Sequence, residues 1–206
     1  MTSAFRSELL RHPGVDERIA ETCEAHFQAL VVWNKTHNLT RITDPLEAAR
    51  LHYLDSLAPL LVWPAPPDFV DVGSGAGFPG LLASLAWPEA RGILVEPSQK
   101  RVSFLRLVAG KLGVAVDVTG PDRPPLPASR VLSRATFSPG KRSALVPYVG
   151  SAGSVAVWGH RHDQSTWQSE VSTWPGVWES RLLHYEVQGI EPRCLLIAAR
   201  VPPKNA

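Results

Sequence analysis

Cysteine is scarce: Cys23 and Cys194 are the only two in 206 residues. Two isolated thiols supply neither a zinc knuckle nor a disulfide framework, so no metal site is expected. No run of about 18 apolar residues occurs, which excludes a membrane-spanning helix. The first eight residues lack the apolar core of a secretory signal, so the expectation is a cytoplasmic protein. There is no internal repeat, no low-complexity tract and no large excess of charge of one sign. Net charge is +2 with 19% charged residues. What remains is an ordinary globular chain, 44% apolar, long enough to bury its own core without staples. The weak positive charge is uneven. Residues 67–150 hold 10 Lys/Arg against 6 Asp/Glu, which permits an anionic partner without demanding one.

Two textures follow one another along the chain. Residues 1–64 read as helical. Asp16 is placed to cap a helix whose apolar positions are Ile19, Cys23, Phe27 and Leu30. Asp44-Pro45 has the form of a second cap with proline at the first helical position. Pro64-Ala-Pro-Pro67 then acts as a hinge. From residue 65 to 206, short apolar runs alternate with amphipathic segments. Strands are expected at 69–72, 93–95, 114–116, 130–132 and 154–157. Helices are expected at 79–86, 98–112 and 143–148. Such alternation argues a doubly wound parallel sheet. The tail breaks the pattern: residues 181–187 and 193–200 read as two strands without an intervening helix, an antiparallel hairpin at the sheet's end. The expected architecture is thus an N-terminal helical cap over residues 1–64 and an α/β domain over 65–206. Trp167, Trp174 and Trp178 read as packing over the sheet.

The most informative segment is Asp71-Val-Gly73-Ser74-Gly75-Ala-Gly77-Phe78-Pro79-Gly80, between a strand and a helix. A sharp turn that lets a ligand approach bare backbone needs glycine. Two frames compete. Gly75-Ala-Gly77-Phe-Pro-Gly80 formally fits G-x-G-x-x-G of dinucleotide binding, but that fingerprint should begin where the strand ends, near Gly73. An acid two residues ahead of G-x-G-x-G instead matches class I S-adenosylmethionine-dependent methyltransferases. There Asp71 suits a cationic, phosphate-free cofactor and would oppose a pyrophosphate. Glu96 closes the second strand, 23 positions after Gly73, where a carboxylate can accept from ribose hydroxyls. It serves either cofactor, and a plain surface carboxylate before Pro97 is the bland alternative.

Several motifs occur in order: Asn34-Lys35-x-x-Asn38-Leu39-Thr40, His52-x-x-Asp55-Ser56-Leu57, the glycine loop, Lys100-Arg101-Val-x-Phe104-Leu105 and Ser133-Arg134-Ala135. Together they resemble the GidB (RsmG) family of bacterial small-subunit rRNA guanine-N7 methyltransferases, over about residues 30–160. The resemblance implies a class I methyltransferase fold, Rossmann-like with an antiparallel terminal strand, under a helical cap. It implies S-adenosylmethionine as cofactor and the decoding-region loop of 16S rRNA as substrate, within the small subunit or its assembly intermediate, with neither DNA nor membrane as partner. By similarity Asp71, Gly73, Ser74, Gly75, Gly77, Phe78, Glu96 and Arg134 belong to the cofactor pocket. Asn34, Lys35, Asn38, His52, Asp55, Ser56 and Arg134 would position the substrate. The family's Arg-x-Glu after the third strand is here Thr119-Gly120-Pro121-Asp122-Arg123, which makes Asp122 its equivalent. Trp158-Gly159-His160 stands where the family carries a lysine-glycine pair, and Ser129 where it carries an acid.

The chemistry fits this sequence. Guanine N7 has an in-plane lone pair and no proton, so alignment and water exclusion suffice, and no catalytic acid or base is expected. The apolar contexts of Cys23 and Cys194 read as core positions, not as the nucleophile of pyrimidine C5 methylation. Ser133-Arg134-Ala135-Thr136-Phe137 stands where many amine methyltransferases carry Asn/Asp-Pro-Pro-Tyr/Phe. His52, Asp55 and Ser56 at i, i+3 and i+4 share one helix edge, facing either the loop or solvent. Arg134 would hold a phosphate or base, or else a structural carboxylate. Lys100, Arg101, Lys141 and Arg142 are candidates for the RNA backbone. A methyltransferase for another RNA or a small molecule and a non-catalytic S-adenosylmethionine-binding module stay open. Asp71 and the loop frame disfavour a NAD-dependent oxidoreductase.

Overall fold

The computed structural model describes residues 2–120 and 126–202. The chain begins with α1 (Ala4–Leu9) and α2 (Glu17–His37). Asp16 caps α2 by accepting from the Ile19 amide at 2.7 Å. The cap holds a donor the helix cannot satisfy, worth about 1 kcal/mol. α2 ends at Asn38, which takes the left-handed conformation with φ 50°, while the Asn34 side chain accepts from the Thr40 amide at 2.8 Å. Asp44 caps α3 (Pro45–Ala48) through the Glu47 amide, 2.9 Å. α3 passes into a π-helical turn (Ala49–Leu54) and then α4 (Asp55–Val62).

The second texture is β1 (Asp68–Val72), α5 (Gly80–Ala86), β2 (Arg91–Val95), α6 (Gln99–Leu112), β3 (Val116–Thr119), β4 (Ala128–Ser133), a 3-10 helix (Arg142–Tyr148), β5 (Val149–His160), α7 (Gln164–Val171), β6 (Trp178–Tyr185) and β7 (Arg193–Arg200). The seven strands form one sheet in the order β3-β2-β1-β4-β5-β7-β6. β1 to β5 pair in parallel, with Val70 opposite both Ile93 and Val131. β7 runs antiparallel between β5 and β6. The expected hairpin is therefore present, with its second strand inserted inside the sheet. β3 starts two residues later than expected. Gly113 ends α6 in the left-handed conformation, and the Val114 amide returns to Ala109 O at 3.0 Å. That closure uses the residues the strand would otherwise begin with.

Each sheet face has its own core. On one side Phe5, Tyr53, Leu81, Phe104, Leu132 and Leu195 belong to one continuous cluster. Residues from α1–α4 and from the sheet pack there together, so the apolar core crosses the boundary near residue 65 without a break. On the other side Val70, Val131, Leu145, Trp167 and Trp174 pack under the 3-10 helix and α7. Trp167, Trp174 and Trp178 make successive edge-to-face contacts at 5.4 and 5.2 Å, as packing residues. Cys23 and Cys194 are fully buried, and burial raises the Cys23 thiol pKa far above its ordinary value. Strand order reverses between β1 and β4, which places the topological switch point at their carboxyl ends, where open α/β sheets bind ligands.

Candidate functional site

β1 ends at Val72 and the glycine loop turns the chain into α5. The Gly73 and Ser74 amides both donate to Val95 O, at 2.8 and 3.2 Å, fastening the loop to β2. The glycines are needed for different reasons. Gly73 has φ +81°, and a Cβ there would run into the Thr136 side chain. Gly75 has φ +60° but open space on its Cβ side, the nearest atom being Gly73 O at 4.0 Å. It is where something from outside can lie on backbone. Gly77 is packed against Leu81, His26 and Leu105. At Gly80 a Cβ would strike the Asp71 carboxylate.

The two acids do different work. Asp71 is wholly buried beneath the loop, outside the lining of the cleft. Its Oδ2 accepts from the Gly80 amide at 2.9 Å at the start of α5, and Oδ1 has no hydrogen-bond partner among the described residues. Burial pushes its pKa up to about 7, against the pull of the Gly80 amide and the Arg134 charge. Glu96 reaches the cleft wall. Its Oε2 accepts from the Gly75 amide and its Oε1 from the Ser98 amide, both at 2.8 Å. A carboxylate has about four lone-pair directions, so roughly two remain.

Opposite the loop stands Arg134, at the end of β4. Its Nη1 lies 3.1 Å from Asp55 Oδ2, 2.9 Å from Ser56 Oγ, 3.2 Å from Leu51 O and 3.3 Å from His52 O. The π turn explains the carbonyls. The Asp55 amide donates to Arg50 O, five residues back. An α-helix would have taken it to Leu51 O, which is thereby left for the guanidinium. Arg134 Nη2 donates to His52 Nδ1 at 3.1 Å. Because arginine carries only donors, that nitrogen must accept, so the His52 proton sits on Nε2 and goes to Thr40 Oγ1, 2.8 Å away. Burial, then the Arg134 and His26 charges, lower the His52 pKa to about 4. The neutral ring stacks on Phe78 with centroids 4.8 Å apart. Asp55 Oδ1 accepts from Tyr185 on β6 at 2.9 Å, and Asp55 O from Trp158 Nε1 on β5 at 2.8 Å.

His26 and Thr136 were not singled out in the sequence. His26 on α2 accepts from Tyr53 OH at 2.6 Å through Nδ1 and donates from Nε2 to Ala76 O of the glycine loop at 3.0 Å. The helical cap thereby props the loop. The available signal was a histidine on the apolar side of α2 between Cys23 and Phe27. Burial lowers its pKa to about 4. Thr136 Oγ1 lies 3.2 Å from Val72 O and 3.3 Å from Gly73 O, clamping the β4 loop onto the glycine loop.

These groups enclose a cleft of about 410 Å³, lined by Gly73, Ser74, Gly75, Phe78, Glu96, Arg101, His52 and Arg134 among others. Ser56 lies buried behind it. Asn34 and Asn38 shape the end of α2, and Lys35 beside them is exposed. Lys100 and Lys141 are exposed as well, and Arg101 stands 3.8 Å from Glu96. Arg142 corrects the sequence expectation. It is 6% exposed, faces Glu170 of α7 at 3.4 Å and lies over the Trp167 ring, so it is not available to an RNA phosphate. Asp122 lies outside the described residues. A second cavity of about 350 Å³ adjoins the first and shares His52, Arg134 and Ala135 with it.

The fold recurs in solved structures of class I methyltransferases. The apo S-adenosylmethionine-dependent methyltransferase SibL superposes with a TM-score of 0.60 at 13% identity, over 90% of this chain and 70% of its own. Sequence relatives are nearer. Ribosomal RNA small subunit methyltransferase G of Solibacter usitatus is 40% identical over 125 residues, 60% of either chain. Its namesake in Nitrosomonas europaea is 44% identical over 89 residues, 43% of this chain and 41% of that protein. The chain thus matches from about two fifths to three fifths of the length of these relatives. The family profile of GidB, described as rRNA small subunit methyltransferase G, matches residues 19–135, more than half of the chain. The residues that build the glycine loop, the π turn and Arg134 all fall within that span, and the chain belongs to the GidB family.

Proposed function

We propose that the chain transfers a methyl group from S-adenosylmethionine to N7 of a guanine in the decoding-region loop of 16S rRNA. The observation that carries this reading is a cleft with an open glycine backbone and, among the described residues, no free base. His52 is neutral, with both ring nitrogens engaged. Glu96 is tied to two amides, and Asp55 is held by Arg134 and Tyr185. Guanine N7 has no proton to lose, so a site that spends its titratable groups on structure suits that acceptor.

The residues also fit the cofactor. The cleft volume lies in the range of small-molecule sites. The vacant side of Gly75 admits a ligand against backbone, and Glu96 keeps lone pairs for ribose hydroxyls. When bound, S-adenosylmethionine supplies an electrophilic methyl group on a sulfonium. The chain's contribution is position and dryness. Phe78 and His52 form a flat wall, Arg134 is immobilised by five acceptors, and the cap closes over the loop through His26. Exposed Lys100 and Lys141, with half-buried Arg101 beside them, would hold RNA phosphates and register the substrate without reading its sequence. An rRNA substrate places the protein in the cytoplasm.

The test is methyl transfer from radiolabelled S-adenosylmethionine to small ribosomal subunits from a strain lacking the family enzyme, followed by mapping. One new N7-methylguanine in the decoding-region loop is expected. Cofactor binding by calorimetry without transfer would overturn the acceptor, and absence of both would overturn the reading of the glycine loop.

A further inference from the structure

The second cavity lies across a single layer of side chains from the cofactor cleft. His52, Arg134 and Ala135 line both. Beyond them the walls are Ile42, Leu51, Trp158, Tyr185 and Arg193. Its polar groups are unequal. The Asp55 oxygens already accept from Arg134 and Tyr185. Donor groups outnumber that one carboxylate. Arg193 Nη1 donates to His160 Nε2 at 2.5 Å. Its Nε is buried, stands 3.8 Å from Asp55 Oδ1 and has no hydrogen-bond partner among the described residues. Two guanidinium groups around one carboxylate leave the cavity with positive charge. A slot with aromatic and aliphatic walls, whose unspent polar group is a cationic donor, fits a flat base with acceptors on its edge. The N7 edge of guanine presents N7 and O6, both acceptors, whereas adenine places an amine donor beside N7.

Ala135 stands at the partition. It has φ 56°, a conformation that costs a residue with a Cβ about 1–2 kcal/mol. The Thr136 hydroxyl holds the neighbouring backbone in that conformation. Its methyl is the smallest side chain that separates the two spaces.

We propose that the second cavity receives the acceptor guanine, with its oxo edge toward Arg193, and that Ala135 determines how closely that base approaches the donor cleft. This rests on the methyl-transfer reading above and adds to it the berth of the base and the origin of guanine selectivity. Ile42 lines the second cavity and not the first, so Ile42→Trp fills the berth without touching the cofactor cleft. Ala135→Asn narrows the partition with a residue that tolerates the left-handed conformation.

Two readouts decide. In titrations of the protein saturated with S-adenosylhomocysteine, guanosine 5′-monophosphate should bind about tenfold or more tightly than adenosine 5′-monophosphate. Ile42→Trp should abolish the preference. In the subunit assay, Ile42→Trp should keep S-adenosylmethionine affinity within about twofold and lose about a hundredfold in kcat/KM, the scale of an ångström's misplacement, and Ala135→Asn should lose kcat/KM likewise. Equal binding of the two nucleotides, no binding of either, or wild-type kcat/KM in folded Ile42→Trp would overturn the proposal. Lost cofactor affinity in Ile42→Trp would also overturn it, by assigning the cavity to the donor. If Ile42→Trp fails to fold, Ile42→Phe decides by the same comparison. The nucleotide titration needs no turnover, so it judges the berth even where the subunit assay fails for the proposed reaction as a whole.

Discussion

Replacing Asp71 by Asn should reshape the pH dependence of stability. Burial holds the Asp71 carboxyl at about 7 in the folded protein, against an ordinary 3.8. Between those values the folded state keeps a proton that the unfolded state has released, so stability falls as pH rises through this window and levels off above about 7. Each pH unit is worth about 1.4 kcal/mol, which puts the full effect at about 4 kcal/mol. Asn keeps an oxygen for the Gly80 amide and cannot ionise. Any cost of its unpartnered amide is the same at every pH. His26 and His52 titrate in the same window with the opposite sign. Their lowered pKa values of about 4 stabilise the fold above the ordinary histidine value, and that is lost as pH falls toward 4. They are present in both proteins and drop out of the difference. Urea denaturation of wild type and Asp71→Asn at half-unit steps from pH 5 to 8 isolates the carboxyl. The stability gap should widen by about 3 kcal/mol in favour of Asp71→Asn over that range. A gap that stays constant within about 0.5 kcal/mol would refute the claim that Asp71 is held neutral by burial.

Three further outcomes are expected. Gly75→Ala should cost the fold about 1–2 kcal/mol for its left-handed backbone but weaken S-adenosylmethionine much more, whereas Gly73→Ala, driven into Thr136, should fail chiefly in thermal stability; calorimetry and melting separate them. Arg134→Lys should lose nearly as much methyl transfer as Arg134→Ala, because an ammonium cannot span the four residues the guanidinium joins; wild-type turnover in a folded Arg134→Ala would remove the residue from the site. Arg142→Ala should destabilise by about 3–5 kcal/mol by stranding Glu170, leaving the salt dependence of RNA binding unchanged, while Lys100→Ala should reduce the slope of that dependence by about 1.

The site was legible where chemistry is local. Three glycines at φ +81°, +60° and +104° occupy positions that other residues avoid, and their spacing alone announces a ligand loop. Asp16 and Asp44 mark helix starts because a cap needs only the next three residues. β7 was readable as a continuous apolar run because it is covered on both faces. What stayed hidden depends on distant partners. His26 reaches the loop across 50 positions and Arg142 finds Glu170 across 28, and no periodicity predicts either. Lys141 and Arg142 look alike in sequence, yet one is exposed and the other is buried. The edge formed by His52, Asp55 and Ser56 was read on an ordinary helix, while the carbonyls that complete the Arg134 nest come from a π turn with no mark in the sequence.

That turn makes the length of the segment a functional quantity. A π turn accommodates one residue more than an α-helix would between the same ends. Loss of a single codon between 49 and 54 would let α3 and α4 fuse into one regular helix. The fused helix would take the Leu51 carbonyl into its own ladder, away from the Arg134 guanidinium. Because the π turn already fits its extra residue between the same ends, the flanking segments would stay in place, while loss of Tyr53 or Leu54 would bring His52 to two positions before Asp55 and onto another side of the helix, so the two could no longer face the same guanidinium. Such a deletion should give a protein that folds and transfers nothing. The irregularity of this helix is what sets the two halves of the site in register.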